Sequence, residues 1–401
     1  MRTRKFVRPP GAYIEEGLVM ASNRADFLVV GGGIAGASVA YELSARSTVI
    51  LLEAENTTGY HSTGRSAAVM SENYGPALWS RLVSASRAFL ENPPSGFSEV
   101  PLVLPRGAMF LARAEEQAQL QLQGEDLVRR GARIDIVAAR DALRYCPVVR
   151  TDQFALALYE PDCKDIDTNA QMAGYLKSFR RRGGQLVTEA RVCGLTFSRG
   201  CWTAKTSKGE YEAPTVVNAA GGWVQQVSQM AGLPTRNVVP FRRTAVTFDP
   251  PTGSDIRAWP MTFDVAETFY FKPEAGRIMV SPIDMVPSEP CDAQADELEV
   301  AIAIDRIHTN TTMHVRSVKH KWAGLRTFAP DHEPVIGPDP DVKSFVWLAG
   351  QGGNGVMAGA AAARFAASLA LGEGVPDDIA SLGVTVEAVS PARACVSGGV
   401  S

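Results

Sequence analysis

The stretch from Phe27 to Glu53 constrains this chain more than any other. It runs as an apolar segment Phe27-Leu28-Val29-Val30, a glycine turn Gly31-Gly32-Gly33-Ile34-Ala35-Gly36, a small-residue helix, a second apolar segment Thr48-Val49-Ile50-Leu51-Leu52, and then Glu53. Strand, turn, helix, strand and acid in that order are the βαβ unit of a dinucleotide site. Gly31 permits the tight turn out of the strand, Gly33 lets backbone approach a pyrophosphate, and Gly36 lets helix and strand pack closely. Ile34 and Ala35 open the helix, where free N–H groups and the dipole favour phosphate. Glu53 falls at the spacing at which a carboxylate accepts from ribose hydroxyls. Glycines alone would be weak support, because ordinary turns also hold them; the register of all five parts carries the reading.

At 401 residues the chain is long enough for about two domains. A hydrophobic content of 45% with 21% charged residues is that of a globular protein with a substantial core. Lys and Arg number 40 against 43 Asp and Glu, so no basic field draws the protein to nucleic acid or anionic lipid. The six cysteines, Cys146, Cys163, Cys193, Cys201, Cys291 and Cys395, are scattered without CxxC pairs. That argues against a disulfide scaffold and a zinc site and fits a reducing cytoplasm. The remaining histidines, His308, His314, His320 and His332, lack metal-ligand spacing and read as surface residues. No run reaches the roughly 18 apolar residues of a membrane helix. Residues 1–23 carry Arg2, Arg4, Lys5 and Arg8, then Pro9-Pro10 and Glu15-Glu16, without an apolar secretory core. They read as a flexible extension, with Met20 as an alternative translation start.

Further strand and helix alternations follow the fingerprint. A segment from about Phe241 to Val280 instead alternates β-branched and aromatic residues, as in Arg243-Thr244-Ala245-Val246-Thr247-Phe248, and predicts an antiparallel sheet. Near the C-terminus a buried strand Ser344 to Ala349, a glycine turn Gly350 to Gly355 and an Ala-rich helix from about Val356 to Ala370 return to the first pattern. The expected fold class is therefore α/β: a discontinuous Rossmann-like nucleotide domain (24–100, 150–235 and 325–375) with an inserted antiparallel β-sheet substrate domain (101–149 and 236–324). The small, polar segment 385–401 reads as a flexible tail.

Four motifs beyond the glycines carry a family resemblance. Gly59-Tyr60-His61-Ser62-Thr63-Gly64-Arg65-Ser66-Ala67-Ala68, Val216-Val217-Asn218-Ala219-Ala220-Gly221-Gly222-Trp223, Trp322-Ala323-Gly324-Leu325-Arg326 and Pro334-Val335-Ile336-Gly337 resemble the FAD-dependent D-amino acid oxidase superfamily. Within it the sequence looks closest to the bacterial D-arginine dehydrogenases. The resemblance spans about Asp26 to Arg393 and makes FAD the expected cofactor. It implies flavin contacts from Ser62, Thr63, Arg65, Ser66, Ala67 and Ala68, a backbone contact from Val192 near the adenine, and further contacts from Ala220 and Gly221. Gly352, Gly353, Asn354 and Gly355 precede the last helix, whose positive end would stabilise anionic reduced flavin. The family's cysteine tether has no counterpart in Gly324 to Thr327. His61 lies near the flavin-linking histidine of dimethylglycine dehydrogenases, but the D-arginine dehydrogenases resemble this sequence there too, and non-covalent FAD is expected.

For the substrate, the resemblance implies Arg326 as carboxylate clamp, a bidentate task suited to a guanidinium. Arg243 would be a second pocket arginine, and Tyr74 and Tyr270 pocket tyrosines. Ser71, Ala108, Met261, Phe263 and Gly353 would line the pocket. Ala108 stands where D-arginine dehydrogenase presents a glutamate, Phe263 where it has a smaller aliphatic residue, and Val69 where it has a histidine; Glu72 is the one acid placed to compensate. These departures predict a neutral or apolar D-amino acid, oxidised at Cα by hydride transfer to flavin N5 to the imino acid and then the 2-oxo acid. The alternatives are a glycine- or sarcosine-type oxidase of N-substituted amino acids and a non-catalytic flavoprotein that binds amino acids. Expected partners are the amino acid and an electron acceptor, quinone or dioxygen, with no nucleic acid, no integral membrane segment and no metal.

Overall fold

A computed structural model describes residues 22–129 and 131–397. The expected N-terminal extension lies outside them except at its end, where the Asn23 carbonyl accepts from the Glu212 N–H at 2.8 Å. Six strands form one sheet in the order Val335–Pro338, Phe345–Ala349, Thr215–Asn218, Phe27–Val30, Val49–Leu52, Gln185–Val187. All neighbours are parallel except the first pair. The strands are apolar throughout because both faces are covered. Phe27, Val29, Val49 and Leu51 enter a core shared with the helices Ile34–Leu43, Thr168–Arg181 and Gly359–Ala370. Leu28, Val30, Ile50 and Leu52 enter the opposite core, with Trp202, Phe345 and Trp347.

The second large sheet has nine strands, and its elements come from between those of the first. Val239–Phe248 pairs antiparallel with Val318–Phe328 along nearly its full length, and Met261–Asp264, Tyr270–Glu274 and Arg277–Ser281 extend the sheet. Ala108–Ala112 joins it in parallel beside Met261–Asp264 and antiparallel to Leu156–Glu160. The fold is thus the expected discontinuous α/β nucleotide-binding unit with an inserted, mainly antiparallel sheet. Leu156–Glu160 and Val318–Phe328 belong to the inserted sheet although both run past the limits, 149 and 324, expected of it.

Two expectations are corrected. Over its described residues, 385–397, the C-terminal segment is not a free tail: it forms short helices at Val386–Val389 and Ala394–Ser397, with Val389 and Val396 fully buried, while residues 398–401 lie outside the described residues. Arg393 anchors it, donating to Asp331 at 2.9 Å and to the Pro334 carbonyl at 2.8 Å. Two apolar anchors and one well-satisfied guanidinium outweigh the polar composition. The last long helix begins at Gly359 rather than Val356, because residues 352–358 are spent on turns, one closed by the Ala358 N–H to the Asn354 carbonyl at 3.0 Å. Among the described residues no helix is long and apolar enough to cross a membrane.

Candidate functional site: a nucleotide cleft with an arginine at its inner end

The cleft opens at the C-terminal ends of the parallel strands, where α/β sheets bind ligands. Its floor depends on two glycines. A Cβ on Gly36 would lie 1.7 Å from the Gly31 carbonyl oxygen, so the first helix can sit this close to its strand only with glycine there. Gly31 has φ +104°, and a Cβ on it would lie 2.6 Å from the Ala219 carbonyl oxygen. With both in place, Gly31, Gly33, Ile34 and Ala35 line the cleft, and the first turn of the helix, whose N–H groups have no intrahelical acceptor, opens onto it.

Glu53 is buried beside this turn. Its Oε2 accepts from the Gly32 N–H at 2.7 Å and its Oε1 from the Glu55 N–H at 2.8 Å, so it ties the loop together while facing the cleft. Burial raises its carboxyl above the ordinary value, and the Glu55 and Gly32 N–H groups pull it back down. Thr63 also lines the cleft, and its Oγ1 accepts from the Ile34 N–H at 3.0 Å. Ser62 and Ser66 are there too, Ser62 donating to the Leu325 carbonyl at 2.7 Å. Val192, Ala220, Gly221, Gly352, Gly353 and Gly355 complete the expected lining. A Cβ on Gly221 would meet no heavy atom within 4 Å, and one on Gly33 would meet only Thr63 Oγ1, at 3.2 Å. Backbone and small side chains thus leave a trough shaped for an extended dinucleotide.

Four expected contacts are not in the lining. The Arg65 guanidinium turns away to Asp292 and donates to the Ala293 and Ala323 carbonyls, both at 2.9 Å. These bonds join the loop to the inserted sheet. Ala67 and Ala68 pack sideways against the two apolar clusters beside the loop. Asn354 is buried with Oδ1 partner-free among the described residues, next to Gly75. Conversely, His61 and Trp223 line the cleft with rings 4.6 Å apart, and both lie inside motifs legible in the sequence. His61 Nε2 is 3.1 Å from Glu55, whereas buried Nδ1 has no partner among the described residues.

Arg326 sits at the inner end of the cleft on Val318–Phe328. In the antiparallel register it opposes Phe241, and Arg243 opposes Gly324, which puts both arginines on one face. Glycine at 324 makes the room: a Cβ there would come within 3.2 Å of Arg326 Nη1. The Arg326 guanidinium is half-buried, its one intramolecular hydrogen bond is to the Leu325 carbonyl at 3.3 Å, and no carboxylate pairs with it among the described residues. Burial lowers its pKa and Arg243 lowers it further, while Tyr270, Tyr74 and Asp284 act the other way. A desolvated, unpaired cation facing a cleft is a site for an anion. Arg243 is buried and donates Nε to the Asp284 carbonyl at 2.9 Å. The Tyr74 hydroxyl lies 3.5 Å from where a Cβ on Gly353 would stand; burial raises its pKa, with Arg243 pulling it down.

The expected outer pocket is filled by the protein itself. Ser71, Ala108, Met261 and Phe263 are all buried and none borders the cleft. The Phe263 ring is stacked on Phe110 at 4.9 Å and flanked by Tyr74 at 5.3 Å and buried Tyr270 at 5.8 Å. The added aromatic is therefore part of a buried ring cluster and not of the cleft lining. Glu72 is bound to Arg87 at 2.7 Å and 2.9 Å and is not free to meet a cationic substrate. An acid the sequence did not point to is Glu160, buried opposite Ala108, with its carboxyl pushed up to about 7 by burial, against hydrogen bonds from Ser71 and Glu72.

A model of FAD dependent oxidoreductases matches residues 26–369. The chain belongs to this family. FAD is accordingly its cofactor. The chain is 24% identical over 381 residues to rat dimethylglycine dehydrogenase, covering 87% of this chain and 44% of that one. It is 23% identical over 370 residues to human sarcosine dehydrogenase, covering 84% and 38%. It thus spans less than half the length of either relative. The structure superposes on that of L-proline dehydrogenase from P. horikoshii with a TM-score of 0.79 at 21% identity, covering 92% of this chain and 97% of that one, a likeness of fold. These relatives support the family and do not single out D-arginine dehydrogenase within it.

Acid precipitation should release free FAD into the supernatant, because Gly324 to Thr327 holds no cysteine for a tether. A flavin-bearing peptide containing His61 after digestion would show the opposite, since His61 lines the cleft and its Nδ1 has no partner among the described residues.

Proposed function

We propose that this protein oxidises a small N-substituted α-amino acid of the sarcosine or dimethylglycine type. The observation that carries the reading is the unpaired Arg326 guanidinium facing the cleft, while the expected outer pocket is occupied by Phe263, stacked on Phe110 and flanked by Tyr74 and Tyr270. Such a site has a partner for a carboxylate and little room for a side chain at Cα. The activities that name the three relatives, on dimethylglycine, sarcosine and L-proline, share an N-substituted amino acid.

Bound FAD would supply the two-electron acceptor, taking hydride from a carbon next to the substrate nitrogen. Arg326 holds the carboxylate, and the Tyr74 and Tyr270 hydroxyls limit its rotation. Their work is orientation, which converts a loose encounter into a near-attack geometry. Water then hydrolyses the released imine. Arg243 adds positive potential, which keeps the amino group of an incoming zwitterion easier to deprotonate. Quinone and dioxygen both remain candidate electron acceptors, and the six free thiols fit a reducing compartment such as the cytoplasm. The same clamp supports a second reading, a small neutral D-amino acid.

Anaerobic bleaching of the bound flavin tests this directly. Sarcosine, N,N-dimethylglycine and L-proline should bleach it with higher kcat/KM than D-alanine, and D-arginine should be the poorest. A bulky D-amino acid as best substrate would overturn the small-substrate reading, and no bleaching by any of them would leave a non-catalytic amino-acid-binding flavoprotein.

A further inference from the structure

Backbone pairing stops at Met70 and resumes with the helix Ala77–Glu91. Between them, Ser71 to Gly75 make no backbone-to-backbone hydrogen bond among the described residues, so side chains hold this stretch. It carries Tyr74, whose ring lies on Phe263 and whose hydroxyl faces Gly353 at the inner end of the cleft. Two of the holds come from helices: Arg87 binds Glu72 at 2.7 Å, and Gln123 Nε2 donates to Asn73 Oδ1 at 2.8 Å.

The third hold is buried. Glu160 ends the strand Leu156–Glu160, is 4% exposed, and shares its sheet face with Ala108 and Leu158. Both its carboxyl oxygens are spent on this one stretch: Ser71 Oγ donates to Oε2 at 2.7 Å and the Glu72 N–H to Oε1 at 3.2 Å. Ser71 Oγ also accepts from the Asn73 N–H at 3.2 Å, which leaves its own proton for Glu160. A carboxyl on an otherwise apolar face carries a desolvation cost that an alanine or leucine would not. What it provides in return is directional: two donors just ahead of Tyr74, at Ser71 and Glu72, are fixed against a rigid strand.

We propose that Glu160 is a positioning residue for the amino-acid site: by holding Ser71 and Glu72 it sets the path of the stretch that places the Tyr74 hydroxyl beside the carboxylate clamp. This rests on the reading of Arg326 as that clamp. Glu160 does not touch substrate; it acts through Tyr74, and the two residues are therefore energetically coupled.

Acetate, a small carboxylate without an oxidisable C–N bond, is the probe. It is titrated into the holoprotein while the visible flavin band is followed, for wild type, Glu160→Ala, Ser71→Ala, Tyr74→Phe and the two double variants with Tyr74→Phe. Glu160→Ala and Ser71→Ala should each weaken acetate binding about tenfold with bound FAD unchanged, and by less than about twofold once Tyr74 is already phenylalanine. Additive losses, or none, overturn the positioning role. If Glu160→Ala does not fold, Ser71→Ala breaks the same link by removing one hydroxyl and decides the matter by the same criterion. Absence of acetate binding in wild type overturns the clamp reading itself, a result distinct from wild-type binding that the variants leave unaltered.

Discussion

Arg326→Lys should leave FAD bound and slow flavin reduction by amino acids by roughly 30- to 5,000-fold in kcat/KM. Among the described residues the guanidinium makes one weak intramolecular hydrogen bond, to the Leu325 carbonyl at 3.3 Å, so little in the fold depends on it. What it offers a substrate is a planar pair of donors in a partly dry site. A lysine returns the charge but not the bidentate fork, and loss of such a contact costs about 2–5 kcal/mol. At about 1.36 kcal/mol per decade this gives the stated range. Anaerobic stopped-flow reduction, with the visible-to-ultraviolet absorbance ratio reporting bound flavin, measures both parts. Unchanged kinetics would remove Arg326 from the site and with it the amino-acid reading of the cleft.

Asp339→Ala should cost about 3–5 kcal/mol of stability, the typical penalty for stranding a buried charge. Asp339 is fully buried and accepts from Arg236 Nη2 at 3.0 and 3.2 Å, from Trp347 Nε1 at 3.0 Å and from the Asp341 N–H at 3.0 Å. Its removal leaves the buried Arg236 cation with only Asp341 as a carboxylate partner among the described residues, at 3.2 Å and on the exposed rim, and leaves the Trp347 indole N–H without its acceptor. Trp347 lies on the strand Phe345–Ala349, which leads into Gly350 to Gly353 at the cleft, so FAD retention should fall with stability. The double change Arg236→Met with Asp339→Leu should recover part of the loss, because no lone charge then stays buried, although the indole N–H still lacks its acceptor. Urea unfolding followed by far-UV circular dichroism reads the difference, and a midpoint equal to wild type for Asp339→Ala would refute it.

Some of the site is legible residue by residue. The roles of Gly31 and Gly36 follow from the absence of a side chain within one 27-residue unit, and the clashes that a Cβ would make, 2.6 Å and 1.7 Å, are with atoms of neighbouring loops and of the same unit. Arg326 is marked by its motif and is found facing the cleft unpaired. His61 and Trp223 lie in legible motifs too, but neither ring type, taken alone, specifies a flavin.

The local sequence determined the nucleotide unit and the alternation between parallel and antiparallel sheets, because turn conformation and hydrophobic periodicity act over a few residues. Tertiary structure decided the rest of the site. Phe263 and Phe110 meet because two strands far apart in the sequence pair in one register, and a slip of one residue would turn both rings to the other face. The same dependence sets Glu160 opposite Ala108. Arg65 turned to Asp292, since a long flexible side chain goes where the folded protein happens to supply acceptors. Whether a residue of the right chemical type lines the site or packs outside it is a property of register and packing between distant segments, which no local stretch of sequence encodes.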